Sequence, residues 1–272
     1  MPNVNPLSQF PVEKQVLKQL KNVIFGKRVK CPHCHRHNSV VELKKNRLWR
    51  CRKCRKRFSL SSINWLKGMK ISSAQLWMLV WSWQKKMGVL QAVALSQTTI
   101  PTVRRYYELF RDNLQVNCDN IILEGKVQMD EMFVKGAFIM GAKDIIHKKI
   151  KMNVVFKKSP ERHDAMNLIF QHVKPGSTVY TDGSQIYKKS EQWWPITHKS
   201  ECHNKFEFSL TSEIEGMWAV LRTFIRRMYH HVTLQKLVKV VAEFEARFSH
   251  QELFKYPLNF LKNSLSTVPL AF

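Results

Sequence analysis

The chain has 272 residues, 44% of them apolar and 24% charged, and no low-complexity tract, so it reads as one large or a few small globular domains. Lys and Arg number 45 against 20 Asp and Glu, a formal charge of +25. An excess of that size points to a polyanionic partner, because basic side chains gain by releasing the counterions condensed on phosphates. No apolar run is long enough to span a bilayer, no basic amphipathic anchor stands apart, and MPNVNPLSQFPVEKQ lacks the pattern of a secretory signal. A membrane-spanning or exported protein is therefore not expected.

After a Pro/Asn-containing start, Val16, Leu17 and Leu20 make a brief helical stripe. A basic block follows, with thirteen Lys or Arg and one acid, Glu42, between Lys27 and Arg57. Residues 72–87 read as a helix capped by Ser72 or Ser73, with Leu76, Leu79, Val80 and Trp83 on one face. Residues 89–97 and 102–114 read as two more helices, the second carrying Arg104, Arg105 and Arg111 among Val103, Tyr106, Tyr107 and Phe110. This pair is either a helix-turn-helix that reads DNA or a plain helical hairpin. From Ile121 the texture changes. KVQMDEMFVKGAFIM, IKMNVVFKK and GSTVYTD read as strands, and ERHDAMNLIFQHV as a helix with Met166, Ile169, Phe170 and Val173 on one face. Residues 211–228 and 233–249 read as closing helices, the last with Leu234, Leu237, Val238, Val241, Phe244 and Phe248 along one side. The order is mixed α/β.

Six cysteines are present, and four fall in two tight pairs, Cys31/Cys34 and Cys51/Cys54, with sixteen residues between the pairs. Each C-x-x-C turn aims two sulfurs at one point, and two facing turns complete a tetrahedral thiolate shell for Zn²⁺. Four protein ligands leave no open coordination position, so the metal is expected to be structural. VVELKKNRLWR reads as a strand leading to the second knuckle, with the β pattern resuming at Phe58. His33, His35 and His37 are spare ligand candidates. Arg28, Lys30, Arg50, Arg52, Lys53 and Arg55 surround the pairs and, with Arg104 and Arg105, are the residues expected to grip a nucleic-acid backbone.

Acids are scarce in this chain, which draws attention to those that end apolar strands. Asp130 follows Lys126-Val-Gln-Met, and Asp182 follows Ser177-Thr-Val-Tyr-Thr. Two carboxylates at neighbouring strand ends suit Mg²⁺ or Mn²⁺, which take hard oxygen ligands and retain waters that a phosphate can displace. Such ions activate a water or a 3′-hydroxyl and stabilise the leaving oxygen of an in-line displacement. A third acid is needed, and Glu215 lies in the helical run SEIEGMWAVLRTFIRR with Arg222 two turns further along the same face. Pattern alone does not prefer Glu215 to Glu213 or Glu207. Each acid also has a plain alternative: Asp130-Glu131 as a turn pair, Asp182-Gly183 as a turn dipeptide, and Glu215 as half of a surface pair with Arg222.

Taken together, these segments resemble the Merlin-type transposases and their bacterial insertion-sequence relatives, the ISXO-like zinc-ribbon DDE transposases, from about Lys30 to Phe248. The resemblance is carried in order by CPHC…WRCRKCRKRFS, VQMDEMF, VYTDGSQIY, SEIEGMWAVLR, and RRMYHHV followed by EFEARF. It implies an RNase H-like (retroviral-integrase-like) α/β catalytic core behind a small zinc ribbon and a helical segment. It implies Asp130, Asp182 and Glu215 as the catalytic acids and Mg²⁺ ligands, with Arg222 supporting and His203 as a further candidate. It also implies binding of double-stranded DNA at terminal inverted repeats and at target, metal-dependent strand cleavage and transfer, and a homodimer or higher oligomer on DNA. The setting would be intracellular and DNA-associated, in a bacterial cytoplasm or nucleoid or a eukaryotic nucleus. The corresponding division is an extension at 1–26, a ribbon at 27–62, a helical DNA-binding segment at 63–118, a catalytic domain at 119–250 and a tail at 251–272.

Two departures from the family pattern stand out. Ser212 occupies a position where an Asn is common, and Arg222 one where a Lys is common; Arg keeps the positive charge but presents a planar fork. The stretch between Asp130 and IKMNVVF is short and lacks the glycine-marked strand expected there. These departures leave a second reading open, a domesticated or inactive transposase-derived DNA-binding protein. A zinc-ribbon transcription factor without catalytic ancestry would explain the head but not the ordered acids.

Overall fold

The computed structural model describes residues 10–45, 47–114, 120–200, 211–229 and 232–266. In chain order the elements are α1 (Glu13–Phe25), β1 (Val40–Lys44), β2 (Leu48–Cys51), β3 (Arg57–Phe58), α2 (Ser73–Gln84), α3 (Val89–Ser96), α4 (Ile100–Asp112), β4 (Lys126–Val134), β5 (Ala137–Asp144), β6 (Ile150–Val155), α5 (Arg162–His172), β7 (Thr178–Thr181), β8 (Thr197–Ser200), α6 (Ser212–Tyr229), α7 (Leu234–Ser249) and α8 (Pro257–Ser266). They divide into two units, Met1–Gln115 together with Glu252–Phe272, and Val116–Gln251.

In the first unit, α1 buries Val16, Leu17 and Leu20, the stripe visible in the sequence, and packs on α2 and α8. The Glu13 carboxylate accepts hydrogen bonds from the backbone N–H groups of Ser73 (3.1 Å) and Ala74 (2.7 Å) at the start of α2. Ser72 accepts from the Gln75 N–H at 3.1 Å. Orphan donors of the first helical turn are thus satisfied, and a negative charge sits at the positive end of the helix dipole. The core of this unit is aromatic: Trp83, Phe110 and Phe260 lie 5.0–5.6 Å apart between ring centroids. Phe260 belongs to the segment expected as a tail. Instead of trailing free, residues 257–266 form α8, with Phe260 and Leu261 fully buried, and the Gln84 side-chain amide donates to the carbonyls of Leu253 and Tyr256. A three-residue turn with Gln97 in the left-handed region joins α3 to α4.

The ribbon forms an antiparallel sheet in the order β1-β2-β3. VVELKKNRLWR was expected to be one strand; it folds back on itself as the β1–β2 hairpin, Val40 opposite Cys51 and Glu42 opposite Trp49. Trp49 and Phe58 stack at 6.0 Å, and Phe25 at the end of α1 packs edge-on to Trp49 at 5.5 Å. A sheet too small to bury its own core thus borrows an aromatic ring from a neighbouring helix.

The second unit holds a five-stranded sheet, order β6-β5-β4-β7-β8. β4, β5 and β6 are antiparallel, while β7 runs parallel to β4 and β8 parallel to β7. Three antiparallel strands followed by two parallel ones, with helices on both faces, is the RNase H-like arrangement. On one face, Val127, Met129, Phe138, Met140 and Ala142 pack with Leu168 and Ile169 of α5. The other face carries α6, and α7 packs along β6. There the Glu245 carboxylate accepts from the Met152 N–H (2.9 Å) and pairs with Lys151 (3.3 Å), covering the edge of the sheet.

Three expectations change. The glycine-marked strand that the sequence seemed to lack is β5, with Gly141 at its centre. β8 was not anticipated, being short and mostly exposed. On α7, Leu234 and Val238 are exposed, and Val240 is buried in their stead.

Gly141 explains why a glycine interrupts a fully buried strand. A Cβ there would lie 2.4 Å from the Trp218 ring, so α6 approaches the sheet only because that atom is missing. Gly141→Ala is expected to displace Trp218 and destabilise the protein by about 1–3 kcal/mol, the usual cost of overpacking, measured as a lowered midpoint in urea unfolding followed by tryptophan fluorescence.

Candidate functional site

The four cysteines predicted as ligands do converge. All four sulfurs lie within 4.8 Å of one another, with Cys31–Cys54 at 3.7 Å and Cys34–Cys51 at 3.5 Å. Sulfurs bound tetrahedrally at about 2.3 Å from Zn²⁺ would be roughly 3.8 Å apart, so the donor set fits that ion. The two knuckles repeat one geometry. The residue after each second cysteine, His35 or Arg55, adopts positive φ, and the N–H of each first cysteine bonds a carbonyl five residues on, Cys31 to Arg36 and Cys51 to Lys56. Burial pushes the Cys31 thiol up to about 12, whereas the Ser39 hydroxyl and nearby N–H donors hold Cys51 down at about 6. His33, His35 and His37 are not part of the cluster.

The acids occupy the point where the second unit's sheet splits. The parallel ladder between β4 and β7 pairs Lys126 with Thr178, Val127 with Val179 and Gln128 with Tyr180, and stops there. Asp130 and Asp182 each stand two residues beyond the last pair, and would face each other had the ladder continued. Asp130 remains on β4 opposite Gly141, while Asp182 begins the loop after β7, where its Oδ1 accepts from the Ser184 N–H at 3.0 Å. Glu215 comes from the first turn of α6, its Oε1 accepting from the Thr211 hydroxyl at 3.0 Å. Trp218, one turn on, donates its indole N–H to Asp130 Oδ2 at 2.9 Å.

Electrostatics place the three acids in one field. Burial raises the Asp130 pKa, and the charges of Asp182 and Glu215 add to the rise, partly offset by the Glu131 backbone N–H and the Trp218 indole. The donors are hard oxygens that repel one another, a set suited to a divalent cation. Among the described residues, only the cysteines bring three or more ligand atoms within 4.8 Å of one another, so the carboxylates are near neighbours at a wider spacing.

The position of Glu213 separates it from Glu215. The Lys143 ammonium donates to the Glu213 carboxylate (2.6 Å) and to its carbonyl (3.0 Å), while Gln128 accepts from the Ile214 N–H at 2.8 Å. Gln128 and Lys143 are cross-strand partners, so one rung of the sheet grips the first turn of α6. That grip turns Glu213 toward Lys143 and leaves Glu215 to act on Asp130. Arg222 lies exposed on α6, roughly 10 Å further along the helix than Glu215. His203 and Glu207 lie outside the described residues, as do Cys118 and Cys202.

Sequence reading missed Glu131, Tyr187 and Trp218. Glu131 was weighed only as half of a turn pair. It lies inside β4, alternates with Asp130 to the opposite face, and accepts from the Tyr187 hydroxyl at 2.6 Å. Burial pushes its pKa up to about 7, the Tyr187 hydroxyl opposes the rise, and the charges of Asp130 and Asp182 add to it. The alternation of a buried strand was the signal that could have shown it.

Of the basic residues, Arg28, Arg50, Arg52, Lys53, Arg55, Arg104 and Arg105 are exposed and Lys30 is half-buried. Arg50, Arg52 and Arg55 line, with Val41 and Leu43, an open cavity of about 280 Å³ on the ribbon.

The fold and the two sites define a zinc-ribbon protein with an RNase H-like acidic core. Residues 11–57 match the transposase zinc-ribbon domain family and residues 138–249 match the ISXO2-like transposase domain family, together more than half of the chain. The chain belongs to the IS1595-type zinc-ribbon transposases. The first match takes in α1 as well as the ribbon. The second contains Asp182 and Glu215 and begins after Asp130. Among solved structures, the cryo-EM structure of the simian T-cell lymphotropic virus intasome in complex with PP2A regulatory subunit B56 gamma is similar over 64% of this chain and 68% of that one, at 12% identity and a TM-score of 0.37. No curated protein matches the sequence. No helix of the described residues is long and apolar enough to cross a membrane.

Structural zinc is typically worth on the order of 10 kcal/mol to a domain of this kind. Removing it with a chelator, or breaking the shell with Cys51→Ser, is expected to unfold the ribbon while the second unit keeps its own core. The check is hydrogen exchange, with protection lost over residues 31–58 and retained over β4–β6.

Proposed function

We propose that this transposase binds the terminal inverted repeats of its element and, with divalent cations held by Asp130, Asp182 and Glu215, cleaves DNA strands and joins them to a target. The reading is carried by one observation: two aspartates at matching positions past the end of a parallel ladder, with a helix-borne glutamate whose charge reaches the first of them. Mg²⁺ or Mn²⁺ bound there would supply Lewis-acid activation of the attacking oxygen and stabilise the leaving one.

The chain's own residues prepare that chemistry. Trp218 donates to one oxygen of Asp130, the Ser184 N–H to one of Asp182 and the Thr211 hydroxyl to one of Glu215, so each carboxylate is oriented. Arg222 presents a planar guanidinium to a phosphate further along α6. The ribbon and the α2–α4 segment form the DNA-binding head. Arg50, Arg52, Lys53 and Arg55, with Arg28 and Lys30, hold backbone phosphates, and Arg104 and Arg105 sit exposed on α4, the second helix of a helix-turn-helix. Two copies acting on paired ends complete the assembly. The glycine-marked strand with Gly141 removes one of the departures that favoured an inactive descendant.

In a cleavage assay on a DNA duplex carrying the element's ends, Asp130→Asn, Asp182→Asn and Glu215→Gln should each lower Mg²⁺-dependent cleavage by at least ~100-fold, as expected when several kcal/mol of transition-state stabilisation is lost. Binding to the same duplex should persist or tighten, because removing an acid reduces repulsion from phosphate. Persistent cleavage by the Asp182→Asn protein would overturn the assignment.

A further inference from the structure

Main-chain pairing ends two residues short of Asp130 and Asp182. Their strands part at Gln128 and Tyr180; beyond that rung β4 continues on β5, while β7 continues one residue further on β8, pairing Thr181 with Ser200. The two carboxylates repel across the split. One side-chain bond bridges the two segments that carry them. Tyr187 closes the 3₁₀ turn, Gln185–Tyr187, that comes first after Asp182, and its hydroxyl donates to Glu131, the residue after Asp130, at 2.6 Å. The Tyr187 ring is fully buried beneath the sheet, its hydroxyl also 3.4 Å from the Met140 sulfur. The bond runs on the face opposite Asp130, so neither partner competes with the acids for a cation.

We propose that Glu131 and Tyr187 are a positioning pair that sets the separation of Asp130 and Asp182 and thereby the affinity of the site for divalent cations. This rests on the reading of those aspartates as metal ligands. Tyr187 anchors the Asp182 loop to β4 where main-chain pairing has ended, so the loop keeps its aspartate within reach against charge repulsion. Removing the hydroxyl leaves the ring packed but frees the loop to widen the split. Outer partners that orient metal ligands typically govern affinity by about 10–100-fold.

The test is direct Mn²⁺ binding to the full-length, zinc-loaded protein without DNA, following free Mn²⁺ by electron paramagnetic resonance. Tyr187→Phe should weaken binding about 10-fold. Glu131→Gln, which keeps an oxygen to accept from Tyr187, should stay within about threefold of the parent. Glu131→Leu should match Tyr187→Phe, and the double variant should be no weaker than either single one, because both remove the same bond. If Tyr187→Phe melts below the assay temperature, Glu131→Leu carries the same comparison. Unchanged Mn²⁺ affinity in a folded Tyr187→Phe or Glu131→Leu protein, with only a lowered melting temperature, would reduce the pair to a structural contact and overturn the proposal. Asp130→Asn and Asp182→Asn separate the two readings. If they do not weaken Mn²⁺ binding, the ligand assignment fails; if they do and Tyr187→Phe does not, the positioning pair alone fails.

Discussion

The early end of the β4–β7 ladder is the constraint around which the second unit's acidic residues gather. Strand register would set Asp130 directly opposite Asp182, and like charges facing each other across a ladder oppose its formation. The parallel pairing ends two residues earlier, and the gap so formed is where the acids stand. Neighbouring side chains tie the rim of that gap to α6. Gln128 and Lys143 seat the first turn of α6, Gly141 lets Trp218 come close, and Trp218 in turn steadies Asp130. Packing, hydrogen bonding and charge therefore act on the same few ångströms.

The first unit follows a different logic. Its ribbon has little apolar surface, so its geometry depends on four sulfurs brought to one point and on the Phe25 ring lent by α1. Dense positive charge is compatible with folding there because Arg50, Arg52, Lys53 and Arg55 lie exposed on the outside of the ribbon. A surface of that kind is built to meet phosphate without having to rearrange.

Much of this was legible in the sequence, for identifiable reasons. The C-x-x-C spacing encodes a knuckle almost completely, because the turn geometry follows from the spacing itself. Ser72 marked the start of α2 through its capping chemistry, and the runs before Asp130 and Asp182 marked strands through their apolar texture. The rest was hidden where composition and position part company. β5 is buried along its whole length, so it shows no alternation, and its central glycine reads as a break until the tryptophan that fills the space is known. β8, Thr197–Ser200, is polar, short and at an edge. On α7 the buried face includes Glu243, Glu245 and Arg247, which an apolar stripe does not count. α8 is short, and its partners are more than a hundred residues earlier in the chain. The pairing of Glu213 with Lys143 was hidden as well, because Lys143 lies seventy residues away and no local pattern contains it.

The return of α8 to the first unit makes the acidic core an insertion within that unit. During synthesis, α1, the ribbon and α2–α4 leave the ribosome long before Phe260 and Leu261, which complete their aromatic core. The inserted unit has all its own strands by then, so it is the one able to finish folding first, while the basic head matures only when the last helix arrives. The first unit is thereby expected to complete its core after the inserted one.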